Sequence, residues 1–169
     1  FPNAEIYGID VHPSCKQYEE ERIKIFIGDQ TDKDFLKKTM EEIGLVDIIL
    51  DDGGHTMNQQ KTSFEVLFKH LNNGGLYILE DLHTSYWRTY LRGNENFLCY
   101  DSPKSTISYL KDLVDCVNFV GATTGNGSSL KKIPPQIKLD EFERYLVENI
   151  TSIHFYNSLC FIFKNSKND

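Results

Sequence analysis

Residues 46–55 read VDIILDDGGH. Val46 to Leu50 is a nearly continuous apolar run, the pattern of a strand buried on both faces. It runs directly into Asp51, Asp52, Gly53, Gly54 and His55. A helical pattern follows from about Asn58 to Leu71, with Phe64, Leu67, Phe68 and Leu71 on one side. The run Asn72-Asn73-Gly74-Gly75 is predicted to end that helix, because glycine accepts the left-handed conformation of a C-cap. Leu76 to Leu79 is then a second apolar strand, and it too runs into acids, Glu80 and Asp81. Two buried strands joined by a helix, each ending on carboxylates, point to an α/β fold with parallel strands.

The flanks extend the pattern. Upstream, Glu5 to Asp10 and Ile23 to Gly28 read as short strands, the second followed by Asp29 and Gln30. Asp32 to Ile43 reads as a helix, with Phe35, Leu36, Met40 and Ile43 at helical spacing and Thr31 or Asp32 as its cap. Downstream, His83 to Ser102 is aromatic and polar without a clear period and reads as a long excursion. Pro103 to Asn118 is helical, Gly121 to Pro135 a loop rich in glycine, serine and proline, and Leu139 to Asn149 a last helix. Thr151 to Tyr156 and Leu159 to Phe163, separated by Asn157-Ser158, form a closing hairpin. The fold class is therefore α/β: one Rossmann-like domain over residues 1–169, with a mostly parallel sheet covered on both faces and a C-terminal antiparallel hairpin that adds a strand at one edge.

Bulk properties exclude several function classes. The chain of 169 residues is 40% apolar and 25% charged, ordinary for a globular domain. Its net charge of −7 argues against nucleic acid held on a general basic face. There is no apolar run long enough to span a bilayer and no signal-peptide pattern at the start, so no membrane partner is expected. Cys15, Cys99, Cys116 and Cys160 are scattered, without a CxxC pair or metal-ligand spacing. Reduced thiols of a cytoplasmic protein are the reading, and a homo-oligomer is compatible with it.

The chemistry collects where the strands end. In open α/β sheets, ligands bind outside the carboxyl ends of the strands. Asp10, Asp29 with Gln30, Asp51-Asp52 and Glu80-Asp81 each follow an apolar strand. With the Val46 and Leu76 strands as neighbours, Asp52, Glu80 and Asp81 converge, and carboxylates crowded in one cleft repel unless a cation joins them. Hard oxygen ligands suit magnesium, manganese or calcium rather than zinc. His55, three residues beyond Asp52, suits general-base work; its plainer reading is a cap or packing residue of the following turn. Asp10 suits the two ribose hydroxyls of a nucleoside cofactor, Asp29 and Gln30 its adenine edge, and Asp51 is grouped with them on the cofactor side. Tyr86, Trp87 and Tyr90 suit the wall of a substrate pocket, or a small aromatic cluster covering the sheet end.

VDIILDDGGH, SFEVLFKHLNNGGLYILEDLHTSYW and SIHFYNSLCFI together resemble the S-adenosylmethionine-dependent sugar O-methyltransferases of macrolide biosynthesis, of the mycinamicin and demethylmacrocin type. The resemblance runs from YGID to the final strand. It implies magnesium (or manganese) on Asp52, Glu80 and Asp81, His55 as the general base, Asp10 on the ribose, and Asp29 and Gln30 near the adenine. It implies methyl transfer from S-adenosylmethionine to a sugar hydroxyl of a glycosylated small molecule or saccharide. It also implies a first strand and a glycine-rich loop ahead of YGID; neither is present, so the domain reads as N-terminally incomplete. The alternatives are a domain of this fold that no longer binds the cofactor and a nicotinamide-dependent sugar enzyme, the latter disfavoured because the carboxylate cluster has no obvious role there.

Overall fold

The computed structural model describes residues 1–91, 102–124 and 138–166. Its elements, in chain order, are β1 (Ile6–Asp10), β2 (Ile23–Ile27), α1 (Lys33–Ile43), β3 (Val46–Asp51), α2 (Met57–Leu67), β4 (Leu71–Leu79), α3 (Arg88–Leu91), α4 (Thr106–Thr124), α5 (Glu141–Asn149), β5 (Ile150–Tyr156) and β6 (Leu159–Lys164). Short 3-10 segments lie at Pro13–Tyr18, Phe68–His70 and Leu82–Tyr86.

The strands form a parallel β1–β2 pair and a four-stranded sheet ordered β3-β4-β6-β5. β3 and β4 pair in parallel, whereas β6 runs antiparallel to both β4 and β5. The mixed α/β class read from the sequence is the one observed. The hairpin contributes two strands, with β6 inserted beside β4 and β5 at the edge, rather than a single added edge strand.

Local chemistry explains the element ends. Asp32 caps α1 by accepting from Asp34 N and Phe35 N. Reciprocal capping boxes begin α2, through Thr56 and Gln59, and α5, through Asp140 and Glu143.

The largest departure from the sequence reading lies at Asn72-Asn73-Gly74-Gly75. The helix stops earlier, at Leu67, and the glycine run belongs to β4, which begins at Leu71. Leu71 pairs with Val46, and the register shifts before Ile48 meets Leu76. Gly74 takes a φ of +76° within this irregularity. At Gly75 a Cβ would stand 2.9 Å from the Asn72 carbonyl and 3.0 Å from that of Asp47. These glycines therefore serve a bulge and a close backbone approach, not a helix C-cap. The carbonyls at the end of the helical segment are met by the buried Lys164, whose Nζ donates to Lys69 O at 3.3 Å and Leu71 O at 2.6 Å.

The core lies on one face of the larger sheet. Tyr77, Leu79, Cys160 and Ile162 pack there against Leu36 and Met40 of α1, Phe64 and Leu67 of α2, Leu110 and Leu113 of α4 and Leu146 of α5. Phe64 stands edge-on to Tyr77 with ring centroids 5.2 Å apart. On the opposite face, the register aligns Ile48 and Leu50 with Leu76 and Ile78, and these with Phe163 and Phe161. Ile48 and Leu50 are 54% and 57% exposed. Among the described residues, then, coverage of the sheet is one-sided, where the sequence pattern predicts two covered faces.

Helix Pro103–Asn118 of the sequence reading is observed as α4, Thr106–Thr124, so its last turn extends into the stretch read as a loop. The rest of that loop, 125–135, and half of the aromatic excursion, 92–101, lie outside the described residues. Among the described residues no helix is long and apolar enough to cross a membrane.

Candidate metal and cofactor centre

β3 and β4 deliver the acids. Successive strand residues point to opposite faces. Asp51, the last residue of β3, turns into the core, and Asp52, just beyond the strand, is exposed in the cleft. From β4, the chain passes Glu80 and reaches Asp81, which takes a left-handed φ of +53°. A non-glycine residue held there carries strain, and such strain collects at functional sites.

Asp52, His55 and Asp81 each present one ligand atom, all within 4.8 Å of one another. His55 Nε2 lies 3.1 Å from Asp81 Oδ2. His55 Nδ1 is buried and has no hydrogen-bond partner among the described residues, so Nε2 is the nitrogen that meets the cleft. The helix-capping work next to it is done by Thr56 and Gln59, not by His55. Glu80, half-buried, stands outside this close group. Its backbone is fixed by a bond from its N to Asp51 O and by Gln60 Nε2, which donates to its carbonyl at 3.0 Å. The two carboxylates facing a common point are oxygen donors that fit a hard divalent cation, with the His55 imidazole beside them.

Beside this cluster lies a cavity of about 350 Å³ lined by Asp10, Asp29, Gln30, Asp52, Gly53 and Gly54, among others. Asp10 accepts from His12 N at 2.7 Å, and this bond, with one from the Cys15 side chain, holds its carboxyl below the ordinary range. Asp29 is lowered likewise by the backbone N–H and the hydroxyl of Thr31, at 2.7 and 2.8 Å. Both are therefore anionic acceptors at neutral pH, the chemistry that hydroxyls of a nucleoside require.

Asp51 does not line the cavity. Its carboxylate is buried, accepting from Tyr77 OH at 2.8 Å and from Gln30 Nε2 at 3.3 Å. Burial pushes it up to about 6, partly offset by those bonds. Gln30 also donates to Ser63 Oγ at 2.8 Å, and its Oε1 accepts from Gly54 N. Asp51 thus meets the cavity through Gln30. At Gly53 a Cβ would fall 2.5 Å from Gln30 Oε1, so a side chain there would push the Gln30 amide aside.

The structure also brings in residues that the sequence reading passed over. Buried Thr84 donates to His55 O at 3.0 Å and to Asp81 O at 2.8 Å, tying the two acidic loops together. The Thr-x-x-Gln spacing of Thr56 and Gln59 is a readable capping signal. The reach of Gln60 to Glu80 and of Thr84 to His55 is not readable, because those pairs are set by tertiary packing.

No family model matches the chain. Several O-methyltransferases are nonetheless similar to it along nearly its whole length. Mycinamicin VI 2''-O-methyltransferase of Micromonospora griseorubida is 31% identical over 169 residues, 100% of this chain and 38% of that protein. Demethylmacrocin O-methyltransferase of Streptomyces fradiae is 33% identical over 167 residues, 97% of this chain and 37% of the relative. A Streptomyces olivaceus enzyme, 8-demethyl-8-alpha-L-rhamnosyl tetracenomycin-C 2'-O-methyltransferase, is 30% identical over 98% of this chain and 39% of its own length. Among solved structures, the MycE methyltransferase of the mycinamycin pathway, in complex with Mg, SAH and mycinamycin VI, is similar with a TM-score of 0.78. It is 30% identical, and the match covers 100% of this chain and 38% of that one. The chain therefore spans under two fifths of the length of the curated relatives it matches. Along essentially all of its own length it is similar to these mycinamicin, demethylmacrocin and tetracenomycin O-methyltransferases, and its fold is that of the matching part of MycE.

Proposed function

We propose that this protein transfers a methyl group from S-adenosylmethionine to a sugar hydroxyl of a glycosylated small molecule, assisted by magnesium or manganese. The observation that carries the reading is the meeting of Asp52, His55 and Asp81 at the rim of the cavity lined by Asp10, Asp29 and Gln30. Asp52 belongs to both, so an acceptor at the cluster lies against a cofactor in the cavity. The non-catalytic alternative has no use for this juxtaposition, and the named relatives are all methyltransferases.

Asp52 and Asp81 would hold the cation, with Glu80 as the third carboxylate that the resemblance implies. A bound divalent cation supplies charge that lowers the pKa of a hydroxyl and fixes its orientation. His55 Nε2 takes the hydroxyl proton. The oxygen then forms its bond to the methyl carbon as the carbon–sulfur bond breaks, and the electron pair of that bond stays on sulfur. Asp10 holds the ribose hydroxyls, Asp29 and Gln30 the adenine edge, and Asp51 keeps Gln30 in place. These contacts orient two reactants in one cleft, which converts a bimolecular encounter into a local one. Such a protein works in the cytoplasm.

Calorimetric titration with S-adenosylhomocysteine, with and without magnesium, tests this directly. Saturable binding that Asp10→Asn weakens by roughly tenfold, one charge-assisted hydrogen bond, is expected. No binding under either condition would remove the methyltransferase reading.

A further inference from the structure

The turn between β5 and β6 reaches the segment that follows Asp81. Ser158, in that turn, has a φ of +64°, a conformation that residues with a Cβ rarely adopt. Its carbonyl accepts from Leu82 N at 3.1 Å. Its hydroxyl accepts from His83 N at 3.4 Å and lies 2.6 Å from His83 Nδ1. Two non-glycine residues among those described have positive φ, Asp81 and Ser158, and both border His83. Local strain persists where the surrounding structure holds it in place, and sites that must present a fixed group are where it collects.

The group fixed here is the His83 ring. With Nδ1 engaged by Ser158, Nε2 is the nitrogen left for a ligand, and the side chain is 42% exposed. The ring stands edge-on to Trp87 with centroids 4.7 Å apart, and Tyr90 follows 6.0 Å further on. Trp87 is 45% exposed. His83 Nδ1 is 3.8 Å from Asp81 Oδ1, so this ledge starts at the acid cluster itself. A half-exposed indole beside a held imidazole suits one occupant above others. The apolar face of a sugar ring covers the indole while one of its hydroxyls meets the nitrogen.

We propose that Trp87 and His83 form the acceptor subsite: a glycosyl ring lies on Trp87, one of its hydroxyls bonds His83 Nε2, and Ser158 is the positioning residue that holds His83. The subsite rests on the methyl-transfer reading and names which part of the acceptor that reading must recognise.

Trp87 is the sole tryptophan of the chain, so its emission reports the ledge alone. The probe is methyl α-L-rhamnopyranoside, chosen because one relative is named for a rhamnosyl compound. A saturable change in emission is expected. His83→Ala and Ser158→Gly should each weaken it on the order of threefold to tenfold, the effect of one hydrogen bond. Glycine accepts the positive φ without strain, so Ser158→Gly should leave the thermal midpoint unchanged or higher. A merely structural role for Ser158 would not combine unreduced stability with weakened glycoside binding. Undiminished binding in both variants overturns the proposal. So does an absence of any emission change while S-adenosylhomocysteine binds, which leaves methyl transfer standing. If neither ligand binds, the functional reading falls and takes the subsite with it.

Discussion

Asp51 and Asp52 are adjacent acids with different surroundings. Strand alternation sends Asp51 onto Tyr77 and Gln30 and leaves Asp52 in the cleft. A part of this is legible in the sequence: both acids follow an apolar strand, and the carboxyl ends of strands are where ligands bind. What the sequence does not show is that Asp51 has a phenol for a partner 26 residues away. At this scale two outcomes are expected. Asp51→Asn keeps an oxygen for Gln30 and should change S-adenosylhomocysteine affinity little, whereas Asp51→Ala should weaken it by about tenfold through loss of the Gln30 anchor. Calorimetry on the two variants separates them; equal and large losses would mean a direct contact by the Asp51 charge. Cys160, fully buried, has its thiol pushed up to about 12 by that burial. It should resist a thiol reagent at pH 8 in the native protein and react once denaturant is added, as read by peptide mapping.

Among the elements, most positions were legible because periodicity and caps are local. The strands around Ile6–Asp10, Ile23–Ile27 and Leu159–Lys164, and the Asp32 cap of α1, follow from runs of a few residues. β4 was not fully legible. Asn72-Asn73-Gly74-Gly75 carries the signature of a helix stop, yet the same glycines also permit a bulge, and the pairing of Leu71 with Val46 decides between them. Gly75→Ala should therefore destabilise the protein by about 1–3 kcal/mol, since the new Cβ meets backbone carbonyls rather than a side chain that can move. The helix end is likewise completed from afar, by Lys164. Lys164→Met should cost about 1–3 kcal/mol, because the Lys69 and Leu71 carbonyls lose a buried donor. Denaturant midpoints report both, and an unchanged midpoint in either variant would refute the assigned role.

The molecule as a whole is two sheet pieces whose carboxyl ends are linked by Gln30, with its core on one side and half-exposed Ile48 and Leu50 on the other. The α/β class was legible from alternating strands and helices, and the insertion of β6 beside β4 was not, because a hairpin pattern does not say which of its strands pairs inward. Stability should fall in mild acid partly through His70. Its burial, then Lys164 and Lys69, hold it below the ordinary 6.5. The folded state thus binds fewer protons than the unfolded chain, so its contribution is present above about pH 6.5 and is lost as the pH falls toward its folded value. The pH dependence of the thermal midpoint should be shallower in His70→Gln across that window.

Asp52, Asp81 and His55 stand together at the cavity rim, where the proposed reaction is cation-assisted methyl transfer to a sugar oxygen. Transfer of an isotopically labelled methyl group from S-adenosylmethionine to a glycoside acceptor should be followed with magnesium, with excess chelator, and in Asp52→Asn. Label on a sugar oxygen is expected with magnesium, and a loss of at least about a hundredfold in rate in the other two conditions, roughly the reach of a metal or base contribution. Label transfer undiminished in chelator and in Asp52→Asn would contradict the cation-assisted reaction.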